Sequence, residues 1–78
     1  MTTADLKAAL DVLRLSGRDL AGLLGCSRTL PDAWLAGRSP TPESVAGWLR
    51  AYAAAQTKLD ARHPAPRDWR QRRRSGAA

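Results

Sequence analysis

Two groups of side chains in this 78-residue chain are equipped for chemistry. The first is Arg67-Asp-Trp-Arg-Gln-Arg-Arg-Arg74, where five arginines and a tryptophan crowd within eight residues. Guanidinium groups pair with phosphates, and an interleaved aromatic ring stacks on unpaired bases. The pattern therefore suits phosphate contacts, a minor-groove reach or single-strand stacking, and it suits equally a basic, solubilising end. The second group lies around Arg28 and Asp32. These stand four apart, where they can pair with each other on an ordinary helix or present donors and an acceptor outward.

Other chemistries lack their residues. One cysteine, Cys26, and one histidine, His63, give no Cys/His set for a metal, and a lone cysteine cannot close an intramolecular disulfide. There is no convincing nucleophile and base pair and no phosphate-cradling loop, so neither an enzyme nor a cofactor is expected. A chain this short buries one modest core, in which an extended catalytic cleft is hard to fit. The start, MTTADLK, lacks a basic segment followed by an apolar run, and no stretch approaches about 18 uncharged apolar residues. The expectation is a cytoplasmic protein with no membrane partner.

The net charge of +6 is unevenly spread. Residues 1–56 carry six Lys/Arg against five acids, and residues 57–78 carry seven against two. The excess sits in the tail, and such asymmetry points to an anionic partner, with nucleic acid first and a membrane surface second.

The elements that must position these groups read as helices, because the chain has no Phe, one Tyr and three Trp among many Leu and Ala. A first helix is expected over about Ala4 to Arg14, capped by Thr2 or Thr3, with Leu6, Ala9, Leu10 and Leu13 inward. Ser16-Gly17-Arg18-Asp19 has the form of a capping box for a short second helix, about Gly17 to Leu24. Gly25 is suited to the positive φ at its end. A third helix starts after Ser27 or after Thr29 and runs to about Ala36, where Gly37 stops it. The fourth, about Pro42 to Asp60, is opened by Thr41 as cap with Pro42 in its first turn. Val45, Trp48, Leu49, Tyr52 and Leu59 read as one face that closes the core. Beyond Ala61 the prolines and arginines read as a flexible basic arm. The division is thus residues 1–60 as a folded domain and 61–78 as the arm.

The segment from Arg18 to Pro40 resembles the helix-turn-helix of the Cro and phage-repressor-like (XRE) family. The resemblance rests on Ala21 where two helices cross, Gly25 at the turn, Cys26 beneath it and Ser27 opening the next helix. Trp34, Gly37 and Pro40 add an aromatic, a helix-ending glycine and a loop proline, and the likeness covers roughly residues 4–56. It implies an all-α, compact, lambda-repressor-like four-helix domain whose helix-turn-helix spans about 17–36, binding double-stranded DNA at a palindromic operator as a homodimer. The expected function is sequence-specific transcriptional regulation, repression in particular.

In that register Ser27, Arg28, Thr29, Asp32, Ala33 and Ala36 face outward. Arg28 would pair with a guanine edge, Asp32 would accept from a cytosine amine or orient Arg28, Thr29 would meet a thymine methyl or a phosphate, and Ala33 would allow close approach. Ser16, Gly17, Arg18, Ser27 and Arg38 would hold the DNA backbone. Arg62, Arg67, Arg70, Arg72, Arg73 and Arg74 make up the basic arm, and Trp48, Tyr52 and Leu59 are the dimer-interface candidates. Pro31 departs from the family pattern, which has a branched apolar residue there. If Thr29 is the cap, Thr29 to Asp32 becomes a capping box and Leu30 tucks inward. Two rivals remain: an antitoxin-like or adaptor protein whose arm binds a protein partner, and an RNA- or single-strand-binding protein.

Overall fold

Two Thr/Ser-x-x-Asp sequences set where the first helices begin. Thr2 accepts from the Asp5 amide at 3.0 Å while the Asp5 carboxylate accepts from the Thr2 amide at 3.2 Å, and α1 runs Thr3–Leu13. Ser16 and Asp19 repeat the arrangement at 3.1 and 3.0 Å, and α2 runs Gly17–Leu24. Each box satisfies two amides that a helix start otherwise leaves without partners. The computed structural model describes residues 1–66 and Asp68. Two further helices, α3 at Thr29–Leu35 and α4 at Glu43–Arg62, complete an all-α chain with no strand among those residues.

Three of the helices end in one way. Leu15, Cys26 and Arg38 donate back to the carbonyls of Leu10, Ala21 and Ala33 at 2.9, 3.1 and 2.9 Å. The preceding residue in each case is left-handed: Arg14 (φ 56°), Gly25 (φ 68°) and Gly37 (φ 76°). This is the Schellman closure, for which glycine is the unstrained choice. Arg14 takes the position without being glycine, so α1 stops at Leu13, one residue short of the sequence expectation. Those closures fold the chain back sharply after each short helix.

The core gathers Leu6, Ala9 and Leu10 of α1, Leu20 of α2, Trp34 of α3 and Leu49 of α4, ringed by Met1, Leu13, Leu15, Leu24, Leu35, Val45 and Ala53. Fully buried Leu6, Leu20 and Leu49 each contribute roughly 1.5–3 kcal/mol of transfer free energy. α1 is central: it packs on α4 and on α3, while α2 packs on α3. Asp5 of α1 lies near enough to Arg50 of α4 to feel its charge, and Arg14 Nη1 stands 3.9 Å from Asp60 Oδ1. The two helices therefore run in the same sense.

The fourth helix corrects the sequence reading in three respects. Its buried face is Ala46 and Leu49, with Val45, Ala53, Gln56 and Asp60 half-buried, whereas Trp48, Tyr52 and Leu59 are 38%, 41% and 51% exposed. α4 packs on α1 through this face, with Leu49 in one cluster with Ala9 and Ala53 against it. Pro42 keeps an extended ψ of 144° and makes no side-chain cap, so the helix opens at Glu43, without the Thr41 cap. At its far end the helix continues two residues past Asp60. His63, which precedes Pro64, leaves the helical region (φ −129°, ψ 61°), as steric conflict with a following proline ring requires. Arg62 consequently belongs to the last turn of α4, where its charge complements the helix dipole. Arg67, Arg70, Arg72, Arg73 and Arg74 lie outside the described residues.

Candidate nucleic-acid interface

The residues around Arg28 are positioned by α2, a four-residue turn and α3. Gly17, the first residue of α2, faces α3: a Cβ there would make ordinary contact, 3.4 Å from Leu35 Cδ1, 3.5 Å from Asp32 Oδ1 and 3.9 Å from Pro31 Cβ. Pro31 fills the role of the branched residue it replaces, since it is fully buried. As the third residue of α3 it gives up an N–H that would find no partner in a first turn. The Ser27 carbonyl accepts from the Leu30 amide at 3.2 Å.

Neither expected cap, Ser27 or Thr29, holds the N-cap position of α3: Arg28 does, without a side-chain cap hydrogen bond, and Ser27 bonds to Thr29 across it. Ser27 Oγ accepts from the Thr29 amide at 3.2 Å and shares a short hydrogen bond with the Thr29 hydroxyl. The Thr29 to Asp32 capping box does not form: Thr29 is already helical, and the first α-type bond runs from the Asp32 amide to the Arg28 carbonyl at 3.1 Å. Leu30 does not tuck inward either and is 48% exposed. Pro31, Trp34 and Leu35 occupy the inner face at i, i+3 and i+4, leaving position 30 on the flank. That spacing was available in the sequence and makes Leu30 the side chain at this face that the sequence reading misplaced.

The outward face of α3 then carries Arg28, Thr29 and Ala36, all exposed, with Asp32 and Ala33 half-buried between them. Arg28 Nε lies 3.6 Å from Asp32 Oδ2, and the two side chains keep 67% and 46% of their exposure. The other carboxylate oxygen of Asp32 faces the start of α2 at Gly17. Ser16, Arg18 and Arg38 are exposed nearby in the chain, with Arg38 tied by its amide to the last turn of α3. At the head of α2 the Ser16 amide holds the Asp19 carboxyl below the usual carboxylate range, with the Ser16 hydroxyl and the Arg18 charge acting in the same direction. The same cause, the Thr2 amide first, lowers Asp5.

Chemically, this face offers a planar five-donor group, a carboxylate, a hydroxyl and two methyls on one short rod. Among the described residues no helix is long and apolar enough to cross a membrane. The chain matches no protein-family model, no curated protein and no solved structure. The geometry of α2, the turn and α3 therefore carries the functional reading.

Proposed function

We propose that the chain is a sequence-specific DNA-binding regulator, a repressor of phage or plasmid type. In this reading α2, the turn and α3 act as a lambda-repressor-like helix-turn-helix, and two copies bind a palindromic operator without a cofactor. The observation that carries it is the division of α3. Pro31 and Trp34 are buried behind it, while Arg28, Thr29, Asp32, Ala33 and Ala36 form a face free of large apolar groups.

A helix of about 10–12 Å diameter enters a major groove of about 12 Å. Arg28 then reads a guanine edge, Asp32 aligns Arg28 or accepts from a cytosine amine, Thr29 reaches a thymine methyl or a phosphate, and Ala33 lets the backbone approach. Ser16, Gly17, Arg18, Ser27 and Arg38 hold phosphates on either flank. Seven residues span roughly 10 Å of axis, which faces about three base pairs. At about 1–3 kcal/mol per base pair one copy discriminates too little, so two-fold binding is the economical solution.

Selection from a random duplex pool, followed by anisotropy titration of the enriched site, tests the reading. Enrichment of an inverted repeat is the expected outcome. Binding that shows no preferred sequence, or that prefers RNA over duplex DNA, overturns it.

A further inference from the structure

α4 carries two apolar stripes, and the core uses one of them. The second runs through Trp48, Tyr52, Ala55 and Leu59, all exposed and spaced four, three and four apart, and Arg62 continues the alternation. The Trp48 and Tyr52 rings lie against each other with centroids 5.7 Å apart at 44°. Alternation of three and four is the seam of a helix that packs along another helix.

We propose that this stripe pairs α4 with α4 of a second copy, antiparallel, with Trp48 over Leu59 of the partner subunit and Tyr52 over Ala55 of the partner subunit. The inference deepens the homodimer of the proposed function by naming its surface and register, and it is read without DNA. Two observations favour this occupant and direction, and a third sets how tightly it holds.

Size complementarity is the first. In the antiparallel register each large side chain meets a smaller one, and the two-fold axis repeats both pairs. A parallel pairing would set Trp48 and Tyr52 on their own copies and leave a gap at Ala55. Charge is the second. Arg62, in the last turn of α4, continues the stripe, so reversing one helix keeps the two copies of its guanidinium at opposite ends of the seam. A parallel pair would align Lys58 and Arg62 with themselves. Area is the third. Aromatic side chains bury about 150–250 Å² each when fully covered. The exposed fractions of Trp48, Tyr52 and Leu59, with the flanking alanines, therefore give on the order of 800 Å² for both copies. That is below the roughly 1,200 Å² of a stable standard interface. The seam accordingly makes a weak dimer in solution, which holding both copies on one duplex strengthens by effective concentration.

Sedimentation of the full chain without DNA, up to about 1 mM, should show a dimer fraction rising with concentration and half-maximal on the order of 100 µM. Y52A and A55E should each weaken association at least about tenfold while leaving helicity and melting unchanged, because both positions are exposed. For the register, A51C and K58C are made separately on a C26S background. Oxidation of the mixture should give a mixed disulfide in several-fold excess over either variant alone. A chain monomeric at 1 mM, a dimer indifferent to Y52A, a dimer lost only on removing residues 67–78, or bridges formed equally in single-variant samples each overturns the proposal. A seam dimer that binds no preferred sequence keeps this inference and sinks the DNA reading; a sequence-specific monomer does the reverse.

Discussion

Arg28→Ala separates a base-reading role from a structural one, because the structure bounds what the side chain contributes to folding. Its ion pair with Asp32, at 3.6 Å, joins two groups that keep 67% and 46% of their exposure. A helical i, i+4 pair in that setting stabilises by about 0.3–0.5 kcal/mol before screening. The variant should therefore melt within roughly 2–4 °C of wild type, given about 4–8 °C per kcal/mol for a domain of this size. A bidentate guanine contact contributes about 1–3 kcal/mol of discrimination. On the selected duplex Arg28→Ala should then lose roughly 5- to 150-fold in affinity per half-site. On random duplex, where Arg28 supplies charge alone, the loss should stay within a few-fold. The assay is paired anisotropy titration of selected and random duplexes at one salt concentration, with a melt of each sample. Equal losses on the two duplexes would place Arg28 on phosphate, and unchanged binding on both would remove it from the interface. Either result refutes the assignment. Asp32→Ala frees Arg28 and removes a negative charge, so it should raise random-duplex affinity while lowering the ratio of selected to random.

Four further outcomes are expected. Arg14→Gly relieves a left-handed non-glycine residue and gives up only the 3.9 Å exposed contact with Asp60, so chemical denaturation should show a gain of about 0.5–1 kcal/mol. Gly25→Ala imposes the reverse change at φ 68° and should cost about 1–2 kcal/mol with the fold intact. Asp5 and Asp19 titrate below their ordinary value of 3.8, so their contribution to stability is present above that value and is lost as the pH falls through their lowered folded pKa. Acid unfolding of Asp19→Asn should accordingly be flatter below about pH 4 than that of wild type. Removing residues 67–78, which hold Arg67, Arg70, Arg72, Arg73 and Arg74, should reduce the slope of log affinity against log salt by up to about 0.9 for each arginine on a phosphate. An unchanged slope takes the arm off the DNA.

Helix starts and stops were legible wherever a side chain alone decides them. Ser16 with Asp19 and Thr2 with Asp5 are local hydrogen-bond pairs, and Gly25 and Gly37 are the residues that a left-handed closure prefers, so α2 and the end of α3 fall where the sequence puts them. Arg14 carries no such signal. Its left-handed turn accompanies the Leu15 bond to the Leu10 carbonyl and brings Leu15 against the core. The stop at His63 shows the same limit in another form: proline excludes the helix from the residue before it, not from the three or four before that, so α4 runs further than composition suggested.

The α4 face was misread for a physical reason that bears on function. A count of large apolar residues favours Trp48 and Tyr52 as core. The core instead takes Leu49 and Ala46, with Ala53 packed against it, where α4 meets α1. Small side chains carry little periodic signal, and they leave the aromatic stripe without a core partner among the described residues. The α3 face was legible in the opposite sense: Pro31, Trp34 and Leu35 claim the inner side, so Arg28, Thr29, Ala33 and Ala36 are left facing away from the core, whatever caps the helix. What spacing alone could not give was the place of Asp32, whose Oδ1 lies 3.5 Å from where a Cβ on Gly17 would stand. Replacing Gly17 by leucine should for that reason disturb the Arg28–Asp32 pair as well as the packing at Pro31. Gly17→Ala, whose added methyl meets its nearest neighbour at 3.4 Å, should leave both in place. An NMR comparison of the Arg28 and Asp32 side chains in the two variants tests that ordering.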